Sequence, residues 1–241
     1  MTVTPTLHFT RDEFAARLNK TRSAMQEKGI EVLIVSDPSN MNWLTGYDGW
    51  SFYVHQAVVV TLSDEPLWFG RGQDANGALR TCYMSPSNII GYADHFVQST
   101  ERHPMDELSA QLKDRGLGTQ AIGVEMDNYW FTAAAYNSLR NGLPDARFSD
   151  ATGLVNWQRA IKSDAEIGYM RQAGQIVSKM HRRIVEHVKP GVRKCDLVAE
   201  IYDAGLRYDE GFGVGGDYPA IVPLLPSCSS LVAEGASSHL E

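Results

Sequence analysis

The chain has 241 residues, 43% of them hydrophobic and 21% charged, which fits one large folded domain or two modest ones and excludes a disordered or fibrous chain. Its formal charge of −7, with no cluster of Lys and Arg, excludes a nucleic-acid surface, and no apolar run reaches the ~20 residues that cross a bilayer. Cys82, Cys195 and Cys228 are odd in number and widely spaced, which favours the reduced thiols of a cytoplasmic protein over a disulfide frame or zinc site, and MTVTPTLHFTRDEF has neither the basic nor the apolar part of a signal peptide.

Residues 10–28 are predicted as a helix: Thr10 with Glu13 makes a capping box and Gly29 supplies the stop. Phe14, Leu18 and Met25 share one face, leaving Arg11, Arg17, Lys20 and Arg22 solvated. Val32-Leu33-Ile34-Val35 reads as a strand bounded by Asp37-Pro38. A turn or two of helix over 39–44 ends at Gly46, and strands at 54–62 and 67–69 pair across the turn 63–66. A helix at 73–82, a strand at 88–92, a helix at 104–114, a strand at 121–125 and a helix at 131–139 follow. This alternation predicts an α/β domain with a mixed, partly parallel sheet flanked by helices, over residues 1–157.

The pattern changes after Trp157. Ser163 with Glu166 is a second capping box, opening a long helix to about 189. Met170, Ala173, Val177, Met180, Ile184 and Val188 form its apolar stripe, and Pro190-Gly191 ends it. A helix over 195–208 leads into EGFGVGGDYPAIVPLLPS, and the chain closes on CSSLVAEGASSHLE, small and polar.

Chemistry concentrates in SDPSNMNWLTGYDGWSFYVHQAVVV, residues 36–60, where Trp43, Tyr47, Trp50, Phe52 and Tyr53 surround Gly46, Asp48 and Gly49. Rigid aromatics, a polar tip and close backbone approach suit a small-ligand pocket. A plug of aromatics between sheet and helices fits the composition equally well. Gly211, Gly213 and Gly216 match G-x-G-x-x-G, but they follow a helix and run into Asp217-Tyr218-Pro219, where no helix opens on a phosphate. His181 and His187 lie six apart, off one helical face, and no HExxH or other metal spacing occurs. The polar run 94–104, with His95 and His103, lines a site or caps the next helix; capping is the stronger reading. No nucleophile elbow is present.

The order helix, strand, SDPSNMNWLTGY resembles the N-terminal domain of the creatinase/prolidase ("pita-bread") family. Arg159-Ala160-Ile161-Lys162-Ser163 through Glu166, Ile167, Met170 and Arg171 is similar to the signature that opens the family's C-terminal domain. NWLTGYDGWSFYVHQAVVV, YADHFVQSTERHPMDEL and GGDYPAIVPLLPS look most like its ectoine-hydrolase branch. The resemblance implies a creatinase-like domain at 1–157, the first helices and strand of an incomplete α+β pita-bread domain at 158–227, and a divergent tail at 228–241. It implies hydrolytic opening of ectoine's cyclic amidine in a cytoplasmic homodimer, without cofactor or metal, since creatinase-type members need none. The catalytic residues are expected beyond the end of the chain. In such dimers the N-terminal domain reaches over the neighbour's site, which gives Tyr47, Asp48, Trp50 and Tyr53, with Asp217 and Tyr218, the role of substrate contacts. Trp50 would be a cation–π platform and Asp48 the counter-charge. The competing readings are a metal-dependent Xaa-Pro peptidase and a non-catalytic dimerisation or ligand-binding fragment.

Overall fold

The structure, a computed structural model, describes residues 4–49, 51 and 53–206. The chain divides into two compact units, Met1–Ile161 and Lys162–Glu241. No helix among the described residues is long and apolar enough to cross a membrane.

The first unit is built on one sheet ordered β4-β3-β2-β1-β5-β6. Its strands are β1 Val32–Val35, β2 Ala57–Thr61, β3 Leu67–Arg71, β4 Ile89–Tyr92, β5 Ala121–Val124 and β6 Arg147–Asp150. β2 pairs antiparallel with both β1 and β3, while β3–β4, β1–β5 and β5–β6 are parallel. The expected mixed sheet is therefore present. The carboxyl ends of five strands and the amino end of β2 share one edge. VLIV and AVVVT are β-branched runs, buried almost throughout, as strands covered on both faces must be.

Alternation along the strands sorts the core into two layers. Leu33, Val35, Val58, Val60 and Trp68 pack with α1 Arg11–Glu27, α2 Pro38–Thr45, α3 Gly72–Thr81 and α6 Leu154–Gln158. Val32, Ile34, Val59, Leu67 and Phe69 pack with α4 Pro104–Asp114 and α5 Ala133–Gly142. Helix α1 starts because the Thr10 side chain accepts the Glu13 N–H, and it stops at Gly29, which takes a φ of +66°. Phe14 and Met25 are fully buried, each worth about 1.5–3 kcal/mol by the area removed from water.

Arg17 corrects the expected solvated face. It is only 4% exposed, because its guanidinium lies 4.0 Å from the Phe9 ring centroid and 5.3 Å from that of Trp43. It donates to the Trp43 carbonyl at 3.0 Å and pairs with Glu13 at 3.3 Å. Glu13 is thereby drawn toward Arg17. A cation on aromatic faces with an acceptor and a carboxylate tolerates burial that a bare charge would not.

Among the described strands and α-helices, the sequence pattern misses two. β6 is Arg-Phe-Ser-Asp, a mostly exposed edge strand whose polar residues blunt it against further pairing. α6 has only five residues and starts after Gly153 at a φ of +78°, too short to display a helical period.

In the second unit, α7 Asp164–His187 opens on the expected capping box, Ser163 and Glu166 each accepting the other's backbone N–H. Gly191, at a φ of +89°, turns the chain into α8 Lys194–Leu206. Met180 packs against Gly205, its sulfur 3.2 Å from where a Cβ would stand. The predicted stripe is only partly covered. Ala173 is buried, while Met170 is 43%, Val177 37% and Val188 58% exposed. Ile176, outside the stripe, is buried instead.

Candidate functional site

The carboxyl edge of the sheet gathers the segment 36–56, the start of α3, the turn after β4 and the turn after β5. Open α/β sheets hold ligands at this edge. The segment 36–56 is shaped to plug the core with one part and face outward with another. Asp37 caps α2 by accepting the Asn40 N–H at 2.9 Å, Pro38 occupies the first turn, and Gly46 ends the helix at a φ of +81°. The chain then turns back on itself. The Tyr47 ring folds over Gly49, where a Cβ would meet it at 2.0 Å, so only glycine fits there.

Tyr47, expected to touch substrate, is instead a core residue, 2% exposed. Its ring lies 5.1 Å from that of Trp68 and its hydroxyl donates to Gln56 Oε1 at 2.9 Å. Burial, aided by the charge of Asp74, raises its phenol far above the usual range. Asp48 is half-buried and its N–H donates to Thr81 Oγ1 at 3.2 Å. Burial lowers the basicity of His8, and the Asp48 carboxylate opposes that effect.

Tyr53 faces outward at 52% exposure. Its hydroxyl accepts from Arg71 Nη1 at 3.2 Å, while Arg71 Nε and Nη2 hold Asp94 at 2.8 and 3.1 Å. This fork is the geometry that planar guanidinium and carboxylate groups favour. The hydrogen bond from Arg71 holds the Asp94 carboxyl below the usual carboxylate range. Trp50, Asp217 and Tyr218 lie outside the described residues.

The polar run after β4 serves as a cap, as expected, and as more than that. His103 Nδ1 accepts the Met105 N–H at 3.1 Å and the His103 N–H donates to Asp106 Oδ2 at 2.8 Å, a capping box for α4. The His103 ring also sits 4.5 Å from that of His55. Burial lowers both imidazoles, and His103, with His55 beside it, is pushed down to about 4. Both are neutral at pH 7. Tyr92 adds a hydroxyl donated to the His55 carbonyl at 2.8 Å.

Sequence reasoning missed a buried polar network behind this edge. Glu125, 3% exposed, accepts the Ser36 and Asp37 N–H groups on Oε2 at 2.8 and 2.9 Å and Asn40 Nδ2 on Oε1 at 2.6 Å. The Asn40 amide nitrogen also donates to Asn156 Oδ1 at 2.7 Å, and its oxygen accepts from Arg159 Nη1 at 2.8 Å. Burial outweighs these donors and pushes the Glu125 carboxyl up to about 7. A charged residue closing the apolar run AIGVE was the one available signal. Its direct partners Ser36, Asp37 and Asn40 lie 85 to 89 residues away and leave no local trace.

Among the described residues the edge thus offers Tyr53, exposed and with its hydroxyl fixed by Arg71, together with acidic neighbours and neutral imidazoles. That set suits holding a small cationic or zwitterionic molecule. The thiol of Cys82 is buried and pushed up to about 12 by that burial, which makes it a poor nucleophile. Among the described residues, no three His, Cys, Asp or Glu side chains gather as metal ligands would.

Comparison with known proteins places this architecture. Residues 17–161 match the Creatinase/Prolidase N-terminal domain, and residues 168–239 match Metallopeptidase family M24. An ectoine hydrolase of Halomonas elongata is 58% identical over 238 residues, which are 97% of this chain and 59% of that protein. An uncharacterized hydrolase/peptidase of Sinorhizobium fredii is 43% identical over 86% of this chain and 53% of its own length. The chain therefore spans little more than half of these curated relatives. An Xaa-Pro dipeptidase from Bacillus anthracis superposes with a TM-score of 0.63 at 22% identity, over 79% of this chain and 48% of that one, a likeness of fold. The chain belongs to the creatinase/prolidase family, carrying that family's N-terminal domain followed by a stretch that matches the M24 metallopeptidases.

Proposed function

We propose that this protein acts in the hydrolysis of ectoine, opening the cyclic amidine to N-acetyl-2,4-diaminobutyrate in the cytoplasm. The 58% identity to an ectoine hydrolase over 97% of the chain carries this reading. The carboxyl edge supports it. Ectoine pairs an amidinium with a carboxylate, and an aromatic face beside a carboxylate is a match for an amidinium. In this proposal Trp50 and Tyr53 supply the face and Asp48 the counter-charge, with Asp217 and Tyr218 contributing from the second part of the chain. Tyr47 backs this wall from the core. The working unit is a homodimer in which residues 1–157 close the partner's site, residues 158–227 open the catalytic domain, and residues 228–241 are a divergent tail. No catalytic residue is assigned.

A second reading, a metal-dependent Xaa-Pro dipeptidase, is favoured by the M24 match at 168–239. Incubation of a form of the protein spanning the relatives' full length with ectoine and with an Xaa-Pro dipeptide, each with and without a chelator, separates the two. Chelator-insensitive ring opening, followed by proton NMR of the acetylated product, is the expected result. Chelator-sensitive dipeptide cleavage without ring opening would replace the first reading by the second. Trp50→Ala is expected to lower kcat/KM for ectoine at least tenfold, and an unchanged value would remove the platform.

A further inference from the structure

The polar network behind the carboxyl edge has a directional property. An ionised carboxylate only accepts, an amide presents donors on one side and an acceptor on the other, and a guanidinium only donates. Glu125 meets three donors. Asn40 is committed at both ends, its nitrogen to Glu125 Oε1 at 2.6 Å and to Asn156 Oδ1 at 2.7 Å, its oxygen to Arg159 Nη1 at 2.8 Å. Its amide can stand only one way while Glu125 is ionised and Arg159 is in place.

We propose that Asn40 is a relay that ties Arg159, and with it helix α6, to the protonation state of Glu125. A proton on Oε1 turns an acceptor into a donor facing the Asn40 donor. Asn40 then gives up that contact, or it turns over and sets its NH2 against the guanidinium while leaving Asn156. Either way the hold on Arg159 weakens. Arg159 also pairs with Asp37 Oδ1 at 3.9 Å, a longer contact than its 2.8 Å hydrogen bond to Asn40.

The charged groups facing this carboxyl are Asp37, at the cap of α2, and Arg159, after α6, which is reached through Asn40. Ser36, Asn128 and Asn156 complete the surroundings with neutral groups, Asn128 donating to Ser36 Oγ and to the Glu125 carbonyl at 2.9 Å. The titration falls in an accessible range, since burial pushes this carboxyl up to about 7. The loosening is local. Leu154 and Val155 stay buried, and Lys20 Nζ still donates to the Gln158 carbonyl at 2.6 Å.

Two groups that couple in this way must do so reciprocally. Arg159→Met should therefore raise the Glu125 midpoint, and protonating Glu125 should loosen α6. The test is hydrogen exchange of residues 154–159 in the full chain from pH 5.5 to 8.5, corrected for intrinsic rates, beside a 13C titration of the Glu125 carboxyl. Protection is expected to rise about tenfold with pH, at the midpoint of the Glu125 titration. Glu125→Gln should hold protection at its low value throughout. Equal protection at both ends of the range, or an unshifted Glu125 midpoint in Arg159→Met, overturns the relay. The wild-type titration decides the matter even if Glu125→Gln fails to fold.

Discussion

Glu125→Gln is the sharpest probe of the buried network, because it removes a charge without removing the side chain. The wild-type carboxyl is carried from an ordinary 4.5 to about 7 by burial. Below pH 4.5 folded and unfolded chains both hold the proton. Between 4.5 and 7 only the folded chain does, so stability falls as pH rises through this window and levels off above it, by about 3 kcal/mol in all. The glutamine does not titrate. Its oxygen keeps the Ser36 and Asp37 N–H groups, but its NH2 meets Asn40 Nδ2, a donor against a donor, at a cost of about 1–3 kcal/mol. The variant should lie close to the wild type at pH 5, where the protonated carboxyl also sets a donor against Asn40, and should pass it at pH 8. Urea unfolding at 25 °C, followed by the emission of buried Trp68, measures both. A wild-type-minus-variant difference that is the same at pH 5 and pH 8 would refute the assignment of this titration to Glu125.

Three further substitutions test the frame around the site. Arg17→Met should cost about 2–4 kcal/mol, since the buried Trp43 carbonyl loses its donor and three rings lose their cation; a loss under 0.5 kcal/mol in urea would make the burial of Arg17 incidental. Gly70→Ala places a methyl 2.5 Å from the Trp68 ring, so about 1–3 kcal/mol of overpacking and a shifted Trp68 emission are expected, and an unchanged spectrum contradicts the packing. His103→Asn keeps a good helix cap but removes an imidazole held down to about 4, mainly by burial. A lowered imidazole gives stability that is complete above pH 6.5 and lost as pH falls toward 4, so the variant should lose less stability than wild type between pH 6.5 and 4. The effect is modest because His103 is partly exposed, and identical acid limbs in the two unfolding curves would exclude it.

Most of the sheet and its helices were legible because period and punctuation agreed. Val32–Val35, Thr10, Gly29, Gly46 and the Ser163–Glu166 box each fall where the pattern places them. What escaped was decided by neighbours distant in sequence. Arg17 reads as solvated until Phe9 and Trp43 close over it, and β6 reads as loop until β5 pairs with it. The site was half legible. The aromatic density of 43–53 marked the segment, but which ring turns inward depends on Trp68, Gln56 and the bare Cα of Gly49. Arg71 gave no signal, because its role is set by Asp94 and Tyr53 on other loops. The Arg159 that begins the C-terminal signature belongs physically to the first unit's network, which spacing alone does not reveal.

The reversed strand β2 has a consequence for how such a protein can change over evolutionary time. Because β2 begins at the same edge where β1 ends, the segment between Val35 and Ala57 leaves and re-enters the sheet on one side. Its length is thus uncoupled from strand register, and doubling it would cost only about 0.6 kcal/mol of closure entropy. Insertions and replacements there can reshape the proposed ligand-facing wall while the sheet stays as it is. A scaffold shared by enzymes of different substrates needs one stretch that can drift without unfolding the rest, and this arm has the anchorage to be that stretch.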